Sequence, residues 1–243
     1  MPETFGTSVT SRTVALLIAL GSLAYTAWVL ELILSTGIDP VRAYVSELAA
    51  ADQPFGGLFR ATDLAAGLFV LTGAAGALRW LPRRPWSVLG WAALALFGAG
   101  TAADSRLPLS CAPSADPQCA ARETAGLVPA THAAHAITST LATAGALVGL
   151  VALTVAARRY GWWPPLARTG PVLIALELAA TVWTLTAVAA FRAGRGIWAL
   201  GAGQRLQVLL VAGWLAVLAL SVARDGRRGT PGMPGTQGTR GRA

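Results

Sequence analysis

The chain has no lysine, two cysteines, two histidines and two methionines in 243 residues, and only 12% of its side chains are charged. So few charges cannot solvate the surface of a soluble domain this long, which excludes an ordinary water-soluble enzyme. The two cysteines, Cys111 and Cys119, stand apart from any neighbouring histidine, which excludes the common zinc-finger spacings. Absent too are the Gly-x-Ser-x-Gly and His-Glu-x-x-His motifs of known hydrolases and any nucleic-acid-recognition motif. No internal repeat is visible, and the alternating pattern of an outer-membrane barrel is missing.

Apolar sequence fills the space these absences leave. Hydrophobic residues make up 54% of the chain, and six long runs contain most of them: Thr13 to Ser35, Leu58 to Leu78, Trp86 to Ala103, Pro129 to Ala156, Pro171 to Ala190 and Gln204 to Ala223. At about 1.5 Å rise per residue each is long enough to cross a hydrocarbon layer roughly 30 Å thick as a helix. The expected fold is all-α, a polytopic transmembrane bundle of six spanning helices over 13–223. Residues 1–12 form the segment before it. The first run is too long for a signal peptide and lacks a small-x-small cleavage pattern, so it reads as a retained helix. Residues 224–243, rich in Gly, Pro, Thr and Arg, cannot bury a core and are expected to be a disordered basic tail.

All 19 basic residues are arginines. Arg12, Arg79, Arg83, Arg84, Arg158, Arg159, Arg168, Arg224, Arg227, Arg228, Arg240 and Arg242 fall on one side of the predicted bundle. Arg42, Arg60, Arg106, Arg122, Arg192, Arg195 and Arg205 fall on the other, most of them among acids. The positive-inside bias then places both termini in the cytoplasm, in the plasma membrane, with Trp80, Trp86, Trp162 and Trp163 at headgroup level. The net charge of +8 is explained by these short juxtamembrane groups and the tail. The implied partners are membrane lipids, not nucleic acid. On this orientation Cys111 and Cys119 lie outside the cytoplasm, where a disulfide is expected to close an outer cap.

Polar residues gather at the outer ends of the spans. Glu31 ends the first, Arg60 and Asp63 begin the second, Asp104 ends the third, His132 and His135 begin the fourth, and Gln204, Arg205 and Gln207 begin the sixth. Ionisable groups in hydrocarbon need partners or a wet cavity, so these residues predict an outward-facing polar pocket. Asp39-Pro40, followed by Val41, Tyr44, Val45 and Leu48, predicts a short interfacial helix after the first span that brings Ser46 and Glu47 to the pocket mouth. Asp116-Pro117 predicts a second short helix that stops near Gly126. Arg60 and Asp63, three apart, are expected to form a local ion pair. Glu177, near mid-membrane, needs either a proton and a partner or a place in a relay. Gly145 and Gly149, with Gly67, Gly73 and Gly76, mark close helix packing.

His132, His135 and Ser139 share one helix face. Two imidazoles so spaced are able to ligate zinc, with Asp63 and Asp104 completing the set. The alternative is a hydrogen-bonded network in which both histidines hold the outer helix ends together.

The segments Tyr44-Val-Ser-Glu-Leu-Ala-Ala50, Pro54-Phe-Gly-Gly-Leu-Phe-Arg-Ala-Thr-Asp63 and Asp104-Ser-Arg-Leu-Pro-Leu-Ser-Cys111, with Cys119 and the His132/His135 helix, resemble the domain-of-unknown-function 998 family of bacterial multi-pass membrane proteins. The resemblance runs from Thr13 to Ala223. A more distant similarity is to the eukaryotic Frag1/DRAM/Sfk1 membrane proteins, which share a Ser-acidic element after the first helix. It implies architecture and membrane location, and it draws attention to Ser46, Glu47, Arg60, Asp63, Asp104, His132 and His135. No reaction comes with it. Three functions follow as expectations: a pocket for a lipid or other amphiphile, a metal-dependent hydrolase or transferase acting on a lipid-like substrate with Glu31 or Glu47 as base, and a small proton-coupled transporter.

Overall fold

Hydrocarbon offers the backbone no hydrogen bonds, so each apolar run must satisfy its own N–H and C=O groups, and a helix does this within one segment. The computed structural model describes residues 3–228, with side chains from 9 to 226. Seven α-helices form: α1 (Glu3–Tyr25), α2 (Gly56–Trp80), α3 (Pro85–Asp104), α4 (Pro117–Thr124), α5 (Ala130–Tyr160), α6 (Pro164–Arg192) and α7 (Leu200–Arg228). A 3-10 helix, Ala27–Leu32, continues α1, and a second, Val45–Ala49, lies in the loop before α2. The described residues contain no strand. All but α4 are long and apolar enough to cross a membrane, the first span being Val9–Leu32. The tail expected beyond Ala223 begins as the last turn of α7 and from position 229 lies outside the described residues.

Leu16, Leu23, Val172, Val182 and Leu185 point outward with at least 59% of their surface uncovered. Large apolar side chains standing free all round a bundle mark a surface that meets lipid. The protein is a multi-pass membrane protein.

The six spans form a closed ring. Each packs on the next, α1 on α2, α2 on α3, α3 on α5, α5 on α6 and α6 on α7, and α7 returns to α1. Lipid is as apolar as leucine, so close packing holds such a ring, and small residues permit it. A Cβ on Gly67 would come within 2.5 Å of the Ala102 backbone nitrogen, and one on Gly145 within 2.6 Å of that of Phe97. Of the glycines singled out in the sequence, Gly67 and Gly145 thus set the α2–α3 and α3–α5 contacts, while Gly73 meets Ile18 of α1 and Gly149 meets Trp214 of α7.

The two ends of the ring differ. At the arginine-rich end, which carries loops 81–84 and 161–163, the interior is a dry plug of Trp91, Leu94, Leu153, Leu166, Trp214 and Leu218. The opposite, capped end carries the longer loops, and there a lid is folded over the ring. Ile38, Ala43, Leu48, Ala49 and Phe59 give that lid a small apolar core of its own.

Three expectations change in detail. The first run does not stay α-helical to Ser35: the Thr26 hydroxyl donates to the Leu23 carbonyl at 2.7 Å, and the chain tightens into 3-10 geometry that buries Glu31. The fifth span starts at Pro164 rather than Pro171, because two prolines fit the first helical turn and Pro171 is accommodated inside the helix. The short helix after the first span is the 3-10 helix Val45–Ala49, and it is buried as part of the lid rather than lying on a leaflet, with Glu47, Leu48 and Ala49 almost wholly covered.

Candidate functional site

Beneath the lid, at the capped end, the ring encloses a cavity of about 130 Å³. Every span contributes to its wall: Tyr25 from α1, Phe59 and Asp63 from α2, Thr101 and Asp104 from α3, Ser139 and Thr143 from α5, Glu177 from α6, Gln204 and Gln207 from α7. Trp28 from the 3-10 turn and Ser46 from the lid complete it. The wall is therefore half carboxyl, hydroxyl and amide, half aromatic and aliphatic.

Of the polar residues singled out in the sequence, Ser46, Asp63, Asp104, Ser139, Glu177, Gln204 and Gln207 reach the cavity. The others serve as locks that hold the lid and the helix ends. Glu31 and Arg205 meet as a bidentate ion pair, Nε to Oε1 and Nη2 to Oε2 both at 2.6 Å, with almost no exposed side-chain surface. Arg205 Nη1 also donates to the Ala43 carbonyl of the lid at 2.8 Å. Arg60 does not pair with Asp63. Its Nη1 donates to the Ala49 and Ala50 carbonyls, at 2.7 and 3.1 Å. The end of the 3-10 helix leaves the Ala49 carbonyl without a helical donor and gives that of Ala50 only the Gln53 N–H at 3.3 Å, and a cation there satisfies both.

Glu47 is fully buried and faces the disulfide loop, where it accepts from the Ser114 backbone N–H at 2.7 Å and from the Ser114 hydroxyl. Burial pushes its carboxyl above the usual carboxylate range, while the two Ser114 donors and the Arg205 charge pull it back down. Cys111 and Cys119 form the expected disulfide, with Cα atoms 6.0 Å apart, and Asp116 caps α4 by accepting from the Gln118 N–H. Val45 N donates to Gln204 Oε1 at 2.6 Å, and Ala51 N to the Leu109 carbonyl at 2.8 Å. The lid is thus tied to α2, α7 and the α3–α5 loop.

The histidines separate. His132 Nδ1 accepts from the Ser110 N–H at 3.1 Å and lies 2.9 Å from the Ser110 hydroxyl, so its proton sits on Nε2, a buried atom with no partner among the described residues. His135 Nδ1 faces two acceptors, the Leu107 carbonyl at 3.1 Å and Asp104 Oδ1 at 3.0 Å, and must carry a proton. Its Nε2 is 3.4 Å from the Ser139 hydroxyl. Asp104 also accepts from Ser139, at 2.8 Å, and from Thr138. Among the described residues no three His, Cys, Asp or Glu side chains gather as a metal-ligand set. A zinc ion bound by His132, His135, Asp63 and Asp104 would have to use the two Nε2 atoms and the oxygens of Asp63.

Glu177 is different from all of these. It is 1% exposed, it faces the cavity, and neither of its oxygens has a hydrogen bond within 3.5 Å among the described residues. The nearby Gln207 gives one of its two amide protons to Thr181 at 2.9 Å and is close enough to offer Glu177 the other. Asp63 likewise receives no hydrogen bond and no ion pair among the described residues.

A family model described as "Protein of unknown function (DUF998)" matches residues 18–221. The chain belongs to that family. The match takes in the four middle spans whole, most of the first and last, the lid and the whole cavity wall. No curated protein and no solved structure matches the chain. The family description carries no reaction, so function rests on the cavity.

Sequence reasoning missed Tyr25, Trp28, Ser110, Ser114 and Thr138. Nothing local marks Ser114 or Ser110, whose roles arise only when the disulfide loop folds back on the lid and α5. Tyr25 and Trp28 carried a signal in hindsight: polar-tipped aromatics at the outer end of an otherwise aliphatic run.

Proposed function

We propose that this protein sits in the plasma membrane with both termini cytoplasmic, and that the cavity at its capped, outward end holds the polar part of a lipid or other amphiphile. The arginine distribution supports the orientation. The observation that carries the pocket is Glu177, a carboxyl group buried to 1% exposure with no cation and no hydrogen bond within 3.5 Å among the described residues, in a cavity to which all six spans contribute. An uncompensated buried carboxyl is costly, and a bundle that keeps one at a cavity wall gains when a ligand supplies the partner. The aromatic and aliphatic portion of the wall suits an apolar neck below a headgroup. Native mass spectrometry of the full chain released from lipid bilayers tests this. A retained amphiphile in the wild type, lost in a Thr143→Trp variant that fills the cavity, is expected; equal lipid retention by both would remove the reading.

A second reading, acyl transfer from an ester-bearing amphiphile, is supported by one geometric fact. Asp104 accepts from His135 Nδ1–H, and His135 Nε2 lies 3.4 Å from the Ser139 hydroxyl, which opens on the cavity and would turn to Nε2 from Asp104 Oδ2, to which it donates here at 2.8 Å. In that chemistry the Ser139 oxygen adds to the ester carbonyl as its proton passes to His135 Nε2. The alcohol departs with that proton, and water then releases the acid from the acyl-serine by the same steps. Labelling of Ser139 by a fluorophosphonate, abolished in Ser139→Ala and in His135→Gln, is the expected result; an unlabelled protein removes it.

A further inference from the structure

The cavity wall contains three carboxyl groups and no basic side chain. Each nearby basic side chain is already engaged. Arg205 pairs with Glu31, Arg60 with two carbonyls of the lid, and His135 with Asp104. Asp104 is further met by Thr138 and Ser139, which leaves Asp63 and Glu177 as the two wall carboxyls with no cation and no hydrogen bond within 3.5 Å among the described residues, Glu177 having only the neutral Gln207 amide close by. Four aromatic rings stand in the same wall: Tyr25, Trp28, Phe59 and Phe97. Tyr25 and Phe97 are edge to face, with centroids 5.2 Å apart.

Buried carboxylates want a cation, and aromatic faces attract one through the ring quadrupole, most strongly where water is excluded. An anionic headgroup entering this wall would meet Asp63 and Glu177 with nothing to offset the repulsion. The volume of about 130 Å³ holds a group of a few heavy atoms, not a sugar chain. We infer that the cavity is a binding site for an organic ammonium group, set between Asp63, Glu177 and the four aromatic rings. This rests on the pocket proposed above and names its ligand chemistry. A lipid headgroup and a free amine both carry such a group, and the chemistry at the wall is the same for both.

The experiment uses the full chain in a neutral maltoside detergent. Choline, tetramethylammonium and ethanolamine are titrated against it by calorimetry, with sodium acetate as the anionic control. In parallel, the protein is taken from nanodiscs containing equal amounts of phosphatidylcholine, phosphatidylethanolamine and phosphatidylglycerol, and the retained lipid is identified by mass spectrometry. Saturable binding of an amine is expected, weakened about ten- to a hundred-fold in Glu177→Gln, as for loss of a charge-assisted contact. Asp63→Asn should weaken it too, and Asp52→Asn, on the exposed lid surface, should leave it unchanged. Both pocket variants replace a charge with an isosteric amide, and their thermal unfolding midpoints verify that they fold. Amine binding together with retention of the amine-bearing lipids assigns a headgroup as the source. Amine binding with no lipid retained assigns a free amine. Retention of phosphatidylglycerol in preference to the other two, with no amine binding, overturns this inference and leaves the amphiphile pocket standing. No amine binding and no retained lipid removes both.

Discussion

Changing Arg205 to leucine should be among the most damaging single substitutions in the protein, and the structure gives the size of the effect. Arg205 and Glu31 are both buried and joined by two bonds of 2.6 Å, so removing one partner strands an ionised group away from water. That costs about 3–5 kcal/mol. The Ala43 carbonyl loses its donor as well, worth about 1 kcal/mol, whereas the Gly201 carbonyl, which also accepts from the guanidinium at 3.2 Å, keeps its place in the backbone ladder of α7. Arg205→Leu should therefore lose about 4–6 kcal/mol, and Glu31→Leu about 3–5 kcal/mol. The double variant, which strands no charge, should lose only about 1–2 kcal/mol. Reversible unfolding of micelle-embedded protein, followed by tryptophan emission for all four members of the cycle, reads the coupling directly. The reasoning fails if the double variant is destabilised by the sum of the two single losses, because the pair would then be two independent groups.

Four further outcomes follow. Burial raises the Glu47 carboxyl above its ordinary range, so its contribution to stability is present at low pH and is lost as pH rises through the raised value; Glu47→Gln should flatten the pH dependence of the unfolding midpoint above the ordinary carboxylate range, and an unchanged pH profile would contradict it. Reducing Cys111–Cys119 opens a loop with a sequence separation of 8 and frees Ser114 from Glu47, which should cost roughly 2–3 kcal/mol in the same unfolding assay. Gly67→Ala places a Cβ 2.5 Å from backbone and should cost about 1–3 kcal/mol, whereas Gly213→Ala, with open space around it, should be neutral or stabilising. Because Asp104 and both imidazole Nδ1 atoms are already engaged by protein groups, elemental analysis of purified protein should find no stoichiometric zinc; one zinc per chain, lost in His132→Ala/His135→Ala, would instead make those residues ligands.

The spans were legible because hydropathy acts over twenty residues at a time, and the cap at Asp116-Pro117 because capping is a local affair. The gathering of polar groups at one end was legible from depth alone. Partners were not. Arg60 and Asp63 sit at the spacing of a helical ion pair, yet the Ala49 and Ala50 carbonyls at the end of the 3-10 helix take the guanidinium, and no spacing rule on α2 reports a loop folded over its first turn. Glu31 finds Arg205 across 174 positions, a pairing that depends on α7 closing the ring against α1. His132 and His135 share a face in sequence but take different acceptors, because the α3–α5 loop passes between them with Leu107 on one side and Ser110 on the other. The residues therefore divided into locks and pocket only once the ring was closed.

The central claim is that polar side chains from separate spans meet in one cavity reached from outside the cell. Cysteine accessibility in intact cells tests it most directly, since Cys111 and Cys119 are tied up in the disulfide and leave no reactive background among the described residues. Ser46→Cys, Asp63→Cys and Thr143→Cys should react with a small cationic thiosulfonate added externally, while Leu178→Cys and Val182→Cys, which face outward from α6, should not. Labelling of the two α6 positions with silence at the three cavity positions would contradict the account.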